Sequence, residues 1–371
     1  MRAALIAPLA LALAASCTPD FDNATVVKDL RILAVPADTP EILVDVGSLA
    51  TLDRLPRAED VAPLLMEAAS HLPDAFPPVT LRPLVVDPAG GGRAVHLRAV
   101  VCVNAAGDMQ PNQATNMGMG LNMRSGGVND TIDRSGCPDD APVLAEGDVT
   151  PAAGDTTGTV PFPVQLVVTK ALVVSAIVAD PLGAVFGLPV SVQITASADG
   201  PLRHEEVTAR KRVVLVPRLD AAATPNQNPA LTGLTVRIDQ AEPGRHVDLT
   251  QPLAAPLELP IGARIDVDPD RGVQESYQTR VADRATGVLE TTTVTEALRY
   301  AFFTTRGSFG PATSNTEPSF VRGPALHPLA SEFNAPNPRF PGAGDPFTIW
   351  IVVRDERAGA AYVRIPVRMV P

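Results

Sequence analysis

The chain has 371 residues, a formal net charge of −11 at pH 7, 38 prolines, 3 cysteines and 1 tryptophan. The negative charge argues against nucleic acid as a partner, because an acidic surface repels phosphate backbones. The many prolines and few aromatic residues predict a mainly β fold, rich in turns and sheet edges, with a core of Val, Leu, Ile and Ala.

Residues 1–16 are predicted to be an export signal. A short cationic start precedes residues 3–15, an apolar run that has the length of a signal-peptide core but is too short to span a bilayer. Cys17 follows directly after small residues. The residues before it are Leu13, Ala14, Ala15 and Ser16.

The segment that ends at Cys17 resembles the lipobox of bacterial lipoproteins. This resemblance implies that Cys17 is acylated, becomes the first residue of the mature protein and anchors it in a lipid bilayer. In the alternative, an ordinary signal peptidase cuts the same bond and leaves Cys17 as a plain thiol. Residues 17–24 are polar, which predicts a tether between the anchor and the first domain.

Residues 25–217 are predicted to form the first of two domains. Apolar stretches bounded by turn residues predict its strands. These are expected at residues 26–35, 41–45, 79–86, 94–103, 160–168, 190–196 and 205–216. Apolar residues at helical spacing predict a helix over residues 59–72. Residues 170–179 are predicted to form a second short helix, with a buried strand as the alternative.

Cys102 and Cys137 are predicted to form a disulfide. Once Cys17 is acylated they are the remaining pair, in a compartment that permits disulfides. The bond would stabilise the fold by roughly 3 to 4 kcal/mol in the chain-entropy model. A redox couple or a metal site is the alternative, but the two cysteines lack the close C-x-x-C spacing that both usually need.

Residues 104–155 show no periodicity and are rich in Gly, Asn, Asp and Thr, which predicts a long loop. Four methionines lie in this loop: Met109, Met117, Met119 and Met123. Because flexible thioethers can form an adaptable contact surface, the loop is a candidate for partner binding. The alternative is a solvated insertion that the disulfide closes at its base.

A polar, proline-marked stretch at residues 218–230 predicts a linker, and residues 231–371 are predicted to form the second domain. Alternating apolar residues predict strands, with a long Pro-rich connection at residues 307–346. The strands are expected at residues 234–238, 263–267, 290–295 and 298–304, and in a closing hairpin at 348–355 and 362–370.

The closing hairpin, TIWIVVRDERAGAAYVRIPVRMV, resembles the last hairpin of an immunoglobulin-like or PKD-like sandwich. The opening strand VVKDLRILAV, which follows the lipobox, is similar to that of uncharacterised bacterial surface lipoproteins built from such modules. The resemblance implies two immunoglobulin-like β-sandwich domains with long loops and one or two short helices. It implies no catalytic residue, because such modules bind, space or present.

The D-x-D-x-D pattern of Asp266, Asp268 and Asp270 resembles the start of a calcium loop. Tyr277, however, stands where the ligating glutamate of that loop would be. Asp266 and Asp268 are therefore interpreted as the solvent face of a strand, with a weaker calcium site at the strand end, including Glu275, as the alternative. The sequence predicts no metal, no cofactor and no catalytic residue.

The sequence as a whole predicts an exported lipoprotein, and its resemblance to bacterial lipoproteins implies an anchor in the outer membrane, facing the periplasm or the cell surface. Its expected role is non-enzymatic binding, adhesion or scaffolding, with the lipid bilayer and an envelope protein or glycan as partners. The alternative is an envelope hydrolase whose site is built from the two long loops, with His327 and Asp345 as the candidate polar pair in the second loop.

Overall fold

The computed structural model describes residues 24–371, except residues 89, 103–136, 139, 154, 156, 180–182, 201–203, 284, 318–326, 337–338 and 340–343. The described chain is mainly β, as predicted. Its two longer helices are α1 (Ala58–His71) and α2 (Lys170–Ala179), which confirms both helix predictions. Among the described residues, no helix combines the length and the apolar character that crossing a membrane requires.

The N-terminal half, residues 24–217, contains both helices, a 3-10 helix (Gly47–Thr51) and a single helical turn, α3 (Gly183–Phe186). Its strands are β1 (Arg31–Ala34), β2 (Glu41–Val44), β3 (Val79–Leu81), β4 (Leu84–Val86), β5 (Val95–Cys102), β6 (Val143–Val149), β7 (Val164–Leu166), β8 (Leu188–Asp199) and β9 (His204–Pro217).

The C-terminal half, residues 231–371, is built from strands and turns in its described parts. Its strands are β10 (Gly233–Ile238), β11 (Arg245–Asp248), β12 (Leu257–Pro260), β13 (Ile265–Pro269), β14 (Ser276–Ala282), β15 (Leu289–Thr295), β16 (Arg299–Thr304), β17 (Ser308–Gly310), β18 (Thr313–Asn315), β19 (Ser331–Asn334), β20 (Phe347–Arg354) and β21 (Ala360–Val370).

Three five-stranded sheets organise these strands. Sheet 1, in the N-terminal half, has the order β2-β9-β8-β5-β6. Sheet 2 has the order β12-β21-β20-β16-β18, and sheet 3 has the order β11-β10-β13-β19-β17. The remaining strands form the two-stranded pairs β1-β4, β3-β7 and β14-β15.

Sheets 1 and 2 have the same strand order and the same strand directions. In each, a long antiparallel hairpin (β8-β9 or β20-β21) lies at the centre. An earlier strand joins the hairpin in parallel at one edge (β2 or β12). On the other side, β5 or β16 pairs antiparallel with the hairpin, and β6 or β18 pairs antiparallel with it in turn. The same five-stranded sheet topology therefore occurs once in each half of the chain.

Each half has its own apolar core. In the C-terminal half, sheets 2 and 3 pack face to face, and alternate residues of their strands supply one buried cluster. In the N-terminal half, α1, α2, β3 and β7 cover one face of sheet 1. A Thr169 hydroxyl that accepts a hydrogen bond from Leu172 N at 3.2 Å supports the start of α2.

The structure differs from the predicted strands at several points. Residues 26–35, predicted as one strand, contribute a bridge from Val26 to Thr304 in the C-terminal half and then β1, which pairs with β4. β6 lies inside the predicted loop at residues 104–155, and β17, β18 and β19 lie inside the predicted connection at residues 307–346. Pairing with β5, β16 and each other orders these short strands, a tertiary effect that periodicity does not report.

Candidate functional site

Charged side chains are buried where the two halves of the chain meet. The junction turn, residues 355–359 between β20 and β21, contacts charged side chains of β2 and β9 in sheet 1. Asp355 closes this turn, because its Oδ1 accepts hydrogen bonds from Arg357 N at 2.8 Å and from Gly359 N at 2.6 Å. The sequence of the hairpin turn therefore fixes the position of Arg357.

Arg357 and Glu41 form a buried ion pair across the junction. Arg357 Nε donates to Glu41 Oε2 at 3.0 Å, and Nη2 donates to Oε1 at 2.5 Å. Glu41 is 3 % exposed, and burial raises the pKa of its carboxyl, while the hydrogen bond from Arg357 opposes that rise. The Arg357 guanidinium also lies over the ring of Tyr277, 4.4 Å from its centroid. Arg357 is thus enclosed by groups from both halves.

Two asparagines of the predicted linker are bonded at the same place. Asn226 N donates to Glu41 Oε1 at 3.3 Å. Asn228 Nδ2 donates to the Ala37 carbonyl at 2.5 Å, and its Oδ1 accepts from Ala360 N at 2.9 Å. The predicted linker is therefore hydrogen-bonded to both halves. The division of the chain into two domains at this stretch stays a prediction.

Two cations bond main-chain carbonyls in the opposite half. Lys211 Nζ of β9 donates to the carbonyl of Ala358 in the junction turn. Burial lowers the pKa of the Lys211 amine to about 8, against the opposing charge of Asp355. From the C-terminal half, Arg354 Nη2 at the end of β20 donates to the Leu33 carbonyl of β1 at 2.7 Å. These bonds connect sheet 2 to both β1 and β9.

Glu296 is a second buried carboxyl near the junction and is 1 % exposed. Its Oε1 accepts from Glu275 N at 3.0 Å, whereas Oε2 has no hydrogen-bond partner among the described residues. Burial, together with the charges of Asp355 and Glu275, raises the pKa of Glu296 to about 7. This carboxyl therefore changes its charge near neutral pH.

An apolar cluster completes the junction. β1 and β4 pack on the face of sheet 2 that points away from sheet 3, so that its strands β16 and β20 are buried on both faces. Trp350 and Phe303 are the largest side chains of sheet 2 in this cluster. The other members are Val27, Leu33, Ala34, Leu84, Val86, Ala301 and Val352.

The hairpin β14-β15 reaches back from the C-terminal half to the N-terminal half. Arg280 Nη1 donates to the Leu49 carbonyl at 2.7 Å, and its Nη2 donates to the carbonyl of Ala50. Leu289 belongs to the core cluster of the N-terminal half, and its N donates to the Asp53 carbonyl at 2.8 Å. The halves are thus joined by the junction turn, the apolar cluster and this hairpin.

The structure joins Cys102 and Cys137 in a disulfide, with Cα atoms 5.4 Å apart, at the end of β5. Cys137 N also donates to Gln193 Oε1 of β8 at 3.3 Å. Cys17 and the four loop methionines lie outside the described residues. Acylation of Cys17 and partner binding by the methionines stay predictions.

The structure gives the candidate hydrolase residues separate partners. His327 Nε2 lies 2.6 Å from Glu242 Oε1, and its Nδ1 lies 3.5 Å from Asp268 Oδ2. Asp345 accepts instead from Arg306 Nη2 at 3.2 Å. His327 and Asp345 are therefore not paired with each other.

The aspartates of the rejected calcium pattern are also used in ion pairs. Asp268 accepts from Arg237 Nη1 at 2.8 Å, and Asp270 Oδ2 lies 3.0 Å from His246 Nε2. Within the part of the chain that the structure describes, no three His, Cys, Asp or Glu side chains are grouped so as to hold a metal ion.

Comparison with known proteins finds no protein-family model and no curated sequence that matches the chain.

Sequence reasoning did not single out Glu41, Lys211 or Arg357, which meet only after folding. A signal was nevertheless present in β20, whose residues are buried without interruption from Phe347 to Val353. A strand with one covered face alternates between apolar and polar residues, whereas a continuous apolar run indicates two covered faces. The TIWIVV run therefore indicated a further contact for the closing hairpin.

Proposed function

We propose that the protein is an envelope lipoprotein, anchored through acylated Cys17, with a non-enzymatic binding or scaffolding role. Both halves are immunoglobulin-like in this proposal. The order β21-β20-β16-β18 in sheet 2 corresponds to the G-F-C-C′ order of an immunoglobulin-like sheet, and β9-β8-β5-β6 in sheet 1 repeats it. Such modules commonly present loops at the ends of a sandwich.

The observation that carries the proposal is the junction. A buried bidentate ion pair, a fully buried tryptophan and hydrogen bonds from Lys211 and Arg354 to main-chain carbonyls of the opposite half hold the two halves together. A rigid double module suits a protein that holds a binding surface at a fixed place relative to a membrane. The segment between Cys102 and Cys137 in the sequence, predicted as a loop, is the proposed binding segment, because loops on a folded scaffold commonly carry contacts.

The anchor is tested by membrane fractionation of a Cys17→Ser variant in a bacterial host that acylates lipoproteins. We expect the wild-type protein in the membrane fraction and the variant in the soluble fraction, since acylation requires the cysteine sulfur. Ser16→Ala is the matched control, because it keeps a small residue before the cysteine and should stay in the membrane fraction. Membrane retention of Cys17→Ser would contradict the anchor.

The binding role is tested by capture from envelope extracts on the immobilised mature protein. The comparison variant replaces residues 104–135 with a short Gly/Ser linker and keeps Cys102 and Cys137. We expect a protein or glycan that the wild-type protein retains to be lost from this variant, with an unchanged melting temperature. Equal capture by both proteins would place binding elsewhere, and hydrolysis of an extract component would favour the enzyme alternative.

A further inference from the structure

The first described residues belong to the C-terminal half rather than to the half that follows them in sequence. Val26 forms a parallel bridge with Thr304 at the end of β16. Val27 N donates to the Thr304 carbonyl at 2.8 Å, and Thr304 N donates to the Thr25 carbonyl at 2.8 Å. Thr25 Oγ1 accepts from Phe309 N at 2.9 Å. The chain therefore enters the described structure at the Thr304 end of sheet 2.

These first residues are held firmly. Thr25 is 1 % exposed and Val27 is fully buried, as a member of the apolar cluster at the junction. Arg31 Nη1 donates to the Ala24 carbonyl at 2.8 Å, which fixes the residue just before them. The exit of the chain toward Cys17 is thus a fixed point on the surface.

The length of chain before this point limits its distance from an anchor. Seven peptide units separate Cys17 from Ala24, and a fully extended chain spans at most ~3.5 Å for each residue. An acyl group on Cys17 therefore keeps the Thr304 end of sheet 2 within ~25 Å of the bilayer surface. A tether this short restricts orientation, because it excludes every orientation that places the exit point farther than ~25 Å from the bilayer surface.

We propose that the Thr304 end of sheet 2 is the membrane-facing surface of the protein, with a phospholipid bilayer as its partner. This proposal rests on the proposed acylation of Cys17. Lys28 is exposed two residues after the bridge at Val26, and Arg306 lies two residues after Thr304. Arg306 is paired with Asp345, and Asp29 follows Lys28, so the short tether and not local charge determines which surface faces the membrane.

The lysines of the chain provide a direct test. The sequence contains three, Lys28, Lys170 and Lys211. Lys28 is exposed beside the proposed membrane-facing surface, Lys170 is partly exposed at the start of α2, and Lys211 is buried. α2 packs on the core of the N-terminal half and not on the cluster that contains Val27. Lys170 and Lys211 are therefore internal controls for Lys28.

The experiment couples oxidised protein that begins at Cys17 to a maleimide lipid in phosphatidylcholine vesicles, with intact mass confirming one lipid per chain. A bulky, water-soluble amine reagent is then applied to vesicle-bound and free protein, and labelled peptides are quantified by mass spectrometry. We expect labelling of Lys28 to fall several-fold on vesicles, labelling of Lys170 to stay unchanged, and Lys211 to stay unlabelled. Equal labelling of Lys28 in both states, or equal protection of Lys28 and Lys170, would overturn the proposal.

A variant with a longer tether is the matched control. It carries about 20 Gly/Ser residues between Cys17 and Thr18, which add a flexible reach of roughly 25 Å. Labelling of Lys28 should return toward that of the free protein, and persistent protection would overturn the role of the short tether. Because the lipid is attached chemically, these results do not depend on acylation in cells. The proposed acylation of Cys17 is tested separately, by the membrane fractionation of Cys17→Ser.

Discussion

Strands β8 and β20 occupy the same place in two sheets of the same order, yet their burial differs. Along β8, buried residues mostly alternate with half-buried ones, and its outward side chains include Gln193 and Thr195. Along β20, every residue from Phe347 to Val353 is buried. Among the described residues, the outward side chains of sheet 1 are mostly half-buried or exposed, whereas β1 and β4 pack on the second face of sheet 2. In the described structure, sheets of the same strand order therefore differ: β8 of sheet 1 has one packed face, whereas β20 of sheet 2 has two.

The strongest way to test this difference is to remove the largest side chain from the covered face. Trp350→Ala should lower the free energy of unfolding by about 3 to 5 kcal/mol, because it empties a fully buried site. Trp350→Phe should cost less, since Nε1 of Trp350 has no hydrogen-bond partner among the described residues. Urea unfolding followed by circular dichroism measures both variants, since Trp350 is the only tryptophan available for fluorescence.

Thr195→Ala on the outward face of β8 is the matched control. The Thr195 hydroxyl lies 3.3 Å from that of Thr208 on an exposed ladder, so the change should stay within about 0.5 kcal/mol. A cost for Trp350→Ala no larger than that of Thr195→Ala would show that the face of sheet 2 is not covered in solution.

The sequence predicted the secondary structure better than it predicted the contacts. The long hairpins β8-β9 and β20-β21 were expected close to their observed bounds, because both show strand patterns on either side of a turn. The helix at Lys170–Ala179 was also predicted, although its apolar run fits a buried strand equally well. Short strands such as β6 and β18 were missed, since their pairing partners and not their own residues order them.

The ion pair of Glu41 and Arg357 can be compared with the ion pair of Glu258 and Arg368. Glu41 and Glu258 lie on β2 and β12, the parallel edge strands of sheets 1 and 2. Arg357→Met removes the cation beside buried Glu41 and should cost about 3 kcal/mol, because the buried carboxylate is then left without an opposite charge. The double variant Glu41→Leu/Arg357→Met should recover most of this loss, since neither member of the pair then remains as an unpaired buried charge. Chemical unfolding of the single and double variants measures the difference.

Edge strand β12 of sheet 2 supplies the control for this pair. Glu258 of β12 pairs with Arg368 of β21, but both side chains are about half exposed. Arg368→Met should therefore change the free energy of unfolding by less than about 1 kcal/mol. If Arg357→Met and Arg368→Met cost the same, the Arg357 pair does not hold the halves together.

The junction could not be predicted from the sequence for a physical reason. Glu41 and Arg357 are 316 residues apart, and each lies in a segment with an ordinary strand or turn pattern. A lone Glu at the start of a strand and a lone Arg in a turn are usually solvated. Both groups are buried only because the fold brings the junction turn against β2 of sheet 1. Continuous burial along β20 indicated that a contact exists, but not which residues form it.

The pH dependence of stability should show the buried carboxyl of Glu296. Its pKa is raised from 4.5 to about 7, so the folded protein holds this proton to higher pH than the unfolded chain does. The free energy of unfolding therefore falls as the pH rises from 4.5 toward 7. Glu296→Gln should remove this fall, an effect on the order of 1 to 3 kcal/mol between about pH 5 and about pH 8. Urea unfolding at both pH values tests it, and an unchanged slope in the variant would contradict the assignment.

The outward face of sheet 1 should show the smallest effect. His96 of β5 lies on this face, with Nδ1 2.9 Å from Asp148 Oδ1 and Nε2 3.3 Å from Glu146 Oε1 of the neighbouring β6. The hydrogen bond to Asp148, and secondarily Glu146, raises the pKa of His96 above 6.5. The pair then adds stability below about pH 6.5 and loses it as the pH rises through the folded pKa.

Because His96 is 44 % and Asp148 73 % exposed, solvent screening limits this contribution to a few tenths of a kcal/mol. NMR titration of the His96 ring should show its pKa falling in Asp148→Asn toward 6.5, with almost no change in the melting temperature. A large loss of stability in that variant would mean that this face of sheet 1 is covered as well. His96 on β5 and Phe303 on β16 would then both lie on covered faces, and the two sheets would not differ in the burial of their second face.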